Sequence, residues 1–244
     1  MTASLSILRH RPAVPDALQE EARASNGVAV AATMRETDQF AREQIRNLVR
    51  RVFLQGWPRP ARQVVFSAVT AGLDIASICR EVGEALAAER VGRVALVDAC
   101  LRTRALEHSF GKTGHDATNQ VDTTSPMRRN SRPVAPNLSL VSANTFLESS
   151  QNEHNTGWLC SRLGDLRREF DFAVIHGPDS ESGSNSAFLG HLSDGLVLAL
   201  EAHRTRRLTA MRIREQLVTA KVRLLGVVLC DRNFPIPEKL YQRL

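Results

Sequence analysis

Aromatic residues are scarce in this chain: Phe, Trp and Tyr make up 5% of its 244 residues, and tyrosine occurs once, at Tyr241. That leaves no stacking platform of the kind single-strand nucleic-acid binders place under successive bases, and no zinc-finger or RNP-type motif is present. Long apolar runs are missing too. No window approaches the roughly 18 uninterrupted apolar residues of a membrane-spanning helix, and the N-terminus has no apolar core followed by a cleavage site, so a cytoplasmic protein is expected. The four cysteines, Cys79, Cys100, Cys160 and Cys230, are far apart, form no CxxC pair, and have no histidine at metal-ligand spacing. Three of them lie in apolar segments, where buried structural thiols are expected and a metal site is not.

What is present suits one globular domain with a substantial core: 43% of the residues are hydrophobic and 24% charged. The formal net charge of +6 would suit nucleic acid, acidic lipid headgroups or an acidic protein segment, and composition does not choose among them. Residues 1–35 mix Pro, Ala, Ser and charge without a sustained period, which predicts a flexible arm. The domain proper is expected over 36–244. It opens with a helix in which Phe40, Ile45, Leu48, Val49, Val52 and Phe53 share one side, ended by Gly56 and Pro58.

Beyond it, apolar runs of strand length alternate with helical patterns: QVVFSAV, RVALVDAC, LSLVSA, FAVIHG, GLVLALEA and RLLGVVLCD. Runs this apolar fit strands covered on both faces. With helices near 75–90, 157–170 and 204–220, the fold class is α/β: a doubly wound, mostly parallel sheet with helices on both faces. Ligands in such a fold sit at the carboxyl ends of the strands. Residues 111–137, rich in Thr, Asn, Ser, Pro and Gly, predict a long polar surface loop, with Arg128, Arg129 and Arg132 forming a solvated face.

The first strand leads into SAVTAGLDIAS, which has the outline of a phosphate-gripping loop but no lysine. Such a loop aims backbone amides and a helix N-terminus at the phosphates, with Lys supplying charge and Ser/Thr holding Mg²⁺. Gly72 occupies the first glycine position of a GxGK[ST] ending. Asp74 stands in place of the second, Ile75 in place of the lysine and Ala76 in place of the metal-binding hydroxyl, with Ser77 following. One lost donor of this kind can cost about 3 kcal/mol in a transition state. Asp74 is expected to cap the next helix instead, filling the anion position with the protein's own carboxylate. The GKT at 111–113 has no glycine five positions earlier and no strand leading into it, so it is set aside.

From about Glu43 onward the order of segments resembles the bacterial tyrosine kinase (BY-kinase) branch of the MinD/ParA-like P-loop ATPases, cytoplasmic partners of exopolysaccharide and capsule chain-length regulators. The helix segment EQIRNLVR matches part of that family's ExxRxxR oligomer contact at Glu43 and Arg46, with Val49 at the third position and Arg50 following. VALVDACLR resembles the Walker A′ strand: Asp98 matches its first carboxylate and Cys100 stands at the second. FDFAVIHGPD resembles the Walker B strand, with His176 where the Mg²⁺-organising aspartate would lie. The C-terminal strand, helix and strand, with the FPIPE tail, look like the exopolysaccharide-associated members, but Tyr241 stands alone where typical members carry a tyrosine cluster.

The resemblance implies a P-loop NTPase-like fold whose catalytic letters are replaced together, and so a non-catalytic protein that regulates exopolysaccharide or capsule polymerisation or export. Its implied partner is a membrane polysaccharide co-polymerase (chain-length regulator) or another export-assembly protein. A homo-oligomer through Glu43, Arg46 and Arg50, and an anionic membrane surface met by the arginine-rich stretches at 46–51 and 203–207, are further candidates. Those stretches read equally as solvated helix faces or interface edges. Nucleic acid is not expected as a partner. No cofactor is expected, ATP and Mg²⁺ entering only if residual binding persists. Two readings stay open beside this one: an active ATP-binding tyrosine kinase or ATPase, and a ParA-like positioning protein. Asp98 and His176 are the catalytic candidates. Asp98 reads as a metal or proton acceptor, or as a capped or solvated strand-end carboxylate. His176 reads as a metal ligand or pH-responsive group, or as a residue satisfying a loop hydrogen bond.

Overall fold

The computed structural model describes residues 4–6, 39–55, 60–111, 126–147, 155–181 and 185–230. Its centre is an eight-stranded sheet in the order β1-β8-β7-β2-β6-β3-β5-β4. The strands are β1 (Ser4–Ser6), β2 (Gln63–Ala68), β3 (Val94–Asp98), β4 (Arg132–Ala135), β5 (Leu138–Val141), β6 (Phe172–His176), β7 (Gly195–Glu201) and β8 (Leu224–Cys230). All neighbours run parallel except β4, which pairs antiparallel with β5 at one edge.

The six apolar runs form β2, β3, β5, β6, β7 and β8, because each can bury both faces. In β2, Val64, Phe66 and Ala68 pack into one core while Val65 packs into the other. The first core is closed by the leading helix α1 (39–49) and by α2 (Ile75–Ala88). The second is closed by α4 (Ala143–Leu147), α5 (Thr156–Glu169), α6 (Asn185–Leu192) and α7 (Arg207–Thr219). A short α3 (Ala105–Ser109) follows β3. Contact between α2 and β3 is close enough that a Cβ on Gly83 would meet Leu96 Cδ2 at 2.5 Å.

The apolar side expected of the leading helix is the buried one: Ile45, Leu48, Val49, Val52 and Phe53 are all in the core. Its last turn, Arg50–Leu54, is π-helical, with the Gln55 amide donating to Arg50 O at 2.7 Å, which keeps adjacent Val52 and Phe53 both inward.

Three expectations need correction. Within the arm at 1–35, Ser4–Ser6 form an edge strand parallel to β8. Neither its length nor its composition carries a period, so only the open sheet edge selects it. Within the polar loop at 111–137, β4 occupies Arg132–Ala135 and Met127 is fully buried, held by its amide donating to Glu169. Residues 203–206 form the turn before α7 rather than a helix face, with His203 at φ 65°. Three short helices, α3, α4 and α6, fall below the length at which periodicity is readable. The remainder of the arm, residues 112–125 and the FPIPE tail with Tyr241 lie outside the described residues.

Candidate functional site

The carboxyl ends of β2, β3 and β6 open onto a cleft of about 830 Å³, lined among others by Gly72, Asp74, Ile75, Cys100, Arg102, His176 and Asp179. It lies where a doubly wound sheet presents ligands.

Its floor is the loop between β2 and α2. Gly72 has φ +98°, a left-handed backbone that L side chains rarely adopt, and an added Cβ would meet nothing within 4 Å. Glycine is needed there for the turn itself. The loop then delivers Asp74 to the N-cap of α2, where its carboxylate accepts from the Ser77 amide at 3.0 Å. The Ile75 amide donates back to Leu73 O at 2.8 Å. Two donors of the helix start are therefore committed within the chain, and a carboxylate sits at the positive end of the helix dipole. Ile75 and Ala76 are buried, 4% and 3% exposed, and belong to the core beneath the loop.

The wall is formed by the ends of β3 and β6. Asp98 and His176 are register partners on these adjacent parallel strands, so both side chains leave the sheet on the same face. His176 Nδ1 and Asp98 Oδ1 are 3.1 Å apart, and Asp98 is completely buried. The same carboxylate accepts from the amides of Cys100 (3.1 Å), Leu106 (3.1 Å) and Glu107 (3.4 Å), so it also caps α3. At the end of β3 the Asp98 carboxylate is therefore hydrogen-bonded rather than solvated. His176 does more than satisfy a loop: its ring faces Asp98 and its carbonyl accepts from the Ala99 amide. Cys100 Sγ lies 3.8 Å from His176 O, and one ligand atom each from Asp98, Cys100 and His176 falls within 4.8 Å of the others. Sequence spacing gave no reason to expect such a cluster, because Asp98 and His176 are separated by 78 positions.

Several supporting residues carry no sequence signal. Ser67 Oγ, buried in β2, donates to Pro178 O at 2.6 Å and meets Ser180 Oγ at 2.9 Å, which in turn accepts from Ser186 Oγ. This chain of hydroxyls pins the turn after β6 against β2. Glu107 Oε1 accepts from the Ala143 amide at 2.8 Å, tying α3 to α4. Glu43, Arg46 and Arg50 lie on the exposed side of α1, away from the cleft lining. Cys79 and Cys230 are buried, Cys160 is exposed.

Compared with solved structures, the chain matches the chimerical protein CapA2B2 with a TM-score of 0.71 at 12% identity, over 96% of each chain. It matches the VpsO kinase domain with a TM-score of 0.66 at 20% identity, over 80% of this chain and 98% of that one. The kinase domain of the Escherichia coli tyrosine kinase ETK gives 0.59 at 14% identity, over 96% of this chain and 93% of that one. The chain has the fold of the bacterial tyrosine kinase domains. No family model matches the sequence, and no curated protein matches it in sequence. The likeness therefore resides in the backbone frame, a P-loop NTPase-like sheet with helices on both faces. No helix among the described residues is long and apolar enough to cross a membrane.

Proposed function

We propose that this protein is a non-catalytic relative of the tyrosine kinase domains it resembles, a regulator of exopolysaccharide or capsule polymerisation or export that works by binding a membrane chain-length regulator. The observation that carries the non-catalytic half is the mouth of α2: the carboxylate of Asp74 accepts from Ser77 N where an anionic ligand would sit, and Ile75 is buried where a cation would reach for it. A Mg²⁺-bound triphosphate does not fit these residues. The carboxylates of Asp74 and Asp179 on the cleft lining oppose its phosphates.

Two features support a docking role. The kinase-domain frame persists without the chemistry of its loop, which is what a scaffold retained for recognition looks like. The outer face of α7 also carries Leu208, Met211 and Val218, exposed by 79%, 43% and 63%, beside Arg207 and Arg214. An apolar stripe edged with arginines suits an amphipathic acidic segment of a partner.

Calorimetric titration of the full chain with ATP and ADP, with and without Mg²⁺, tests the first half: no saturable binding is expected, and micromolar affinity would overturn it. Co-purification with a membrane chain-length regulator tests the second, with Leu208→Glu/Met211→Glu expected to abolish capture.

A further inference from the structure

We propose that Asp98, Cys100 and His176 form a binding site for a divalent transition-metal ion of the zinc class. The inference does not rest on the non-catalytic reading, since it concerns the ends of β3 and β6 rather than the loop before α2.

The donor set is the first argument. A carboxylate oxygen, a sulfur and an imidazole nitrogen come within 4.8 Å of one another, with Asp98 and His176 buried and Cys100 half-buried. Thiolate and imidazole select zinc-like ions over magnesium and calcium, which take oxygen ligands. With Asp98 and Cys100 ionised and His176 neutral, two negative charges meet a doubly charged ion. The filled site is then neutral, as a buried location requires.

Geometry supplies the second argument. Ligand atoms about 2.0–2.3 Å from a tetrahedral zinc lie roughly 3.3–3.7 Å from each other. Asp98 Oδ1 and His176 Nδ1 are 3.1 Å apart with a hydrogen bond between them, so the cation would take the place of the proton they share. The sulfur has to close in by about 1 Å to reach the ideal spacing. Cys100 sits in the turn just after β3, where rotation about its Cα–Cβ bond moves Sγ without disturbing the strand.

The third argument is the support behind the ligands. Asp98 Oδ2 accepts from the amides of Leu106 and Glu107, and its Oδ1 accepts from the Cys100 amide. The carboxylate is thus oriented by backbone on three sides, the outer-shell arrangement that metal-binding carboxylates use. Three protein ligands leave a fourth position, and Cys100 and His176 both line the cleft. Water or a small anionic or thiol ligand entering the cleft could fill it, as in open zinc sites. Binding displaces protons from the ligands.

The test uses the full chain, reduced and metal-stripped, titrated with Co²⁺ as a spectroscopic probe. The expected result is a thiolate-to-cobalt charge-transfer band that saturates at one equivalent, is displaced by Zn²⁺ and is indifferent to excess Mg²⁺. Cys100→Ser should abolish the band, and Cys160→Ser should leave it intact. Zn²⁺ should raise the melting temperature of the wild type and leave that of Cys100→Ser unchanged. Absence of the band, its survival in Cys100→Ser, or its loss in Cys160→Ser would each overturn the proposal. Cys100 is in a turn, so its serine variant should fold even if His176→Gln does not. Nucleotide affinity is read separately, and either proposal can fail while the other stands.

Discussion

The two ends of the sheet use their carboxylates in opposite ways. At the amino end, Asp194 accepts from the amides of Arg62 and Gln63 at 2.8 Å and pairs with Arg167, while Asp171 accepts from the Arg93 amide at 2.8 Å and faces the Arg93 side chain. These carboxylates meet arginines at the surface and hold strand beginnings together. At the carboxyl end, Asp98 is buried against backbone amides and a histidine, and Asp74, exposed at the cleft, accepts from the Ser77 amide. One end is a set of ion-paired clamps. The other is a cleft in which the protein's own carboxylates occupy the helix starts. The same residue type therefore stabilises in both places, but only at the carboxyl end does it also decide what can bind.

Removing Asp98 should produce the largest effect. Asp98→Ala strands a buried imidazole and two amides of α3, a loss expected to cost about 3–4 kcal/mol. Urea unfolding should show this, with Asp98→Asn retaining more than half of the stability lost. A cost below about 1 kcal/mol would mean that the buried pairing contributes little.

Asp194→Ala should come next, at about 2 kcal/mol, because it breaks charge-assisted bonds from two amides and a guanidinium. Burial opposes ionisation of Asp194, yet the Arg167 side chain and the amides of Gln63 and Arg62 outweigh it and hold the carboxyl below its ordinary value. Asp171 is lowered as well, first by the Arg93 amide, which with the Arg93 and Arg62 side chains outweighs the opposing desolvation. In both cases the unfolded chain binds protons more readily than the folded one. The stability they contribute is complete above the ordinary carboxylate value of about 4 and is lost as pH falls through the lower folded values. Urea midpoints measured between roughly pH 5 and 3 should fall, and Asp194→Asn should flatten that fall. An unchanged slope in the variant would detach acid sensitivity from the amino end.

Asp74→Ala should cost about 1 kcal/mol as a lost N-cap. It also frees the Ser77 amide, so phosphate should protect this variant against thermal unfolding more than it protects the wild type. Equal protection would show that the carboxylate is not what keeps anions from the mouth of α2. The smallest effect is expected for Arg93→Ala, at most about 0.5 kcal/mol by the same denaturation measurement, because the side chains of the Arg93–Asp171 pair are 46% and 44% exposed.

Much of the fold was legible because its cause is local. Val64, Val65 and Phe66 in β2, or Ala95, Leu96 and Val97 in β3, lie in unbroken apolar runs that only a sheet covered on both faces can bury. The side of α1 carrying Leu48, Val49 and Phe53 was readable from helical spacing, and the Asp74 cap from a short acidic residue before an apolar helix. β1 and β4 were not readable, since both are edge strands chosen by the neighbour they meet: Ser4–Ser6 by β8, and Arg132–Ala135, despite its proline, by β5. Nor was the hydroxyl chain of Ser67, Ser180 and Ser186, whose members are ordinary serines until the turn after β6 folds onto β2.

The amino-acid sequence by itself determined the layered architecture and the absence of lysine from the loop between β2 and α2, because hydrophobic period and residue identity belong to the chain before it folds. Tertiary structure decided which of its residues meet. Asp98, Cys100 and His176 look unrelated along the chain. The parallel register of β3 against β6 makes them neighbours, since residues 78 positions apart meet only when two strands align.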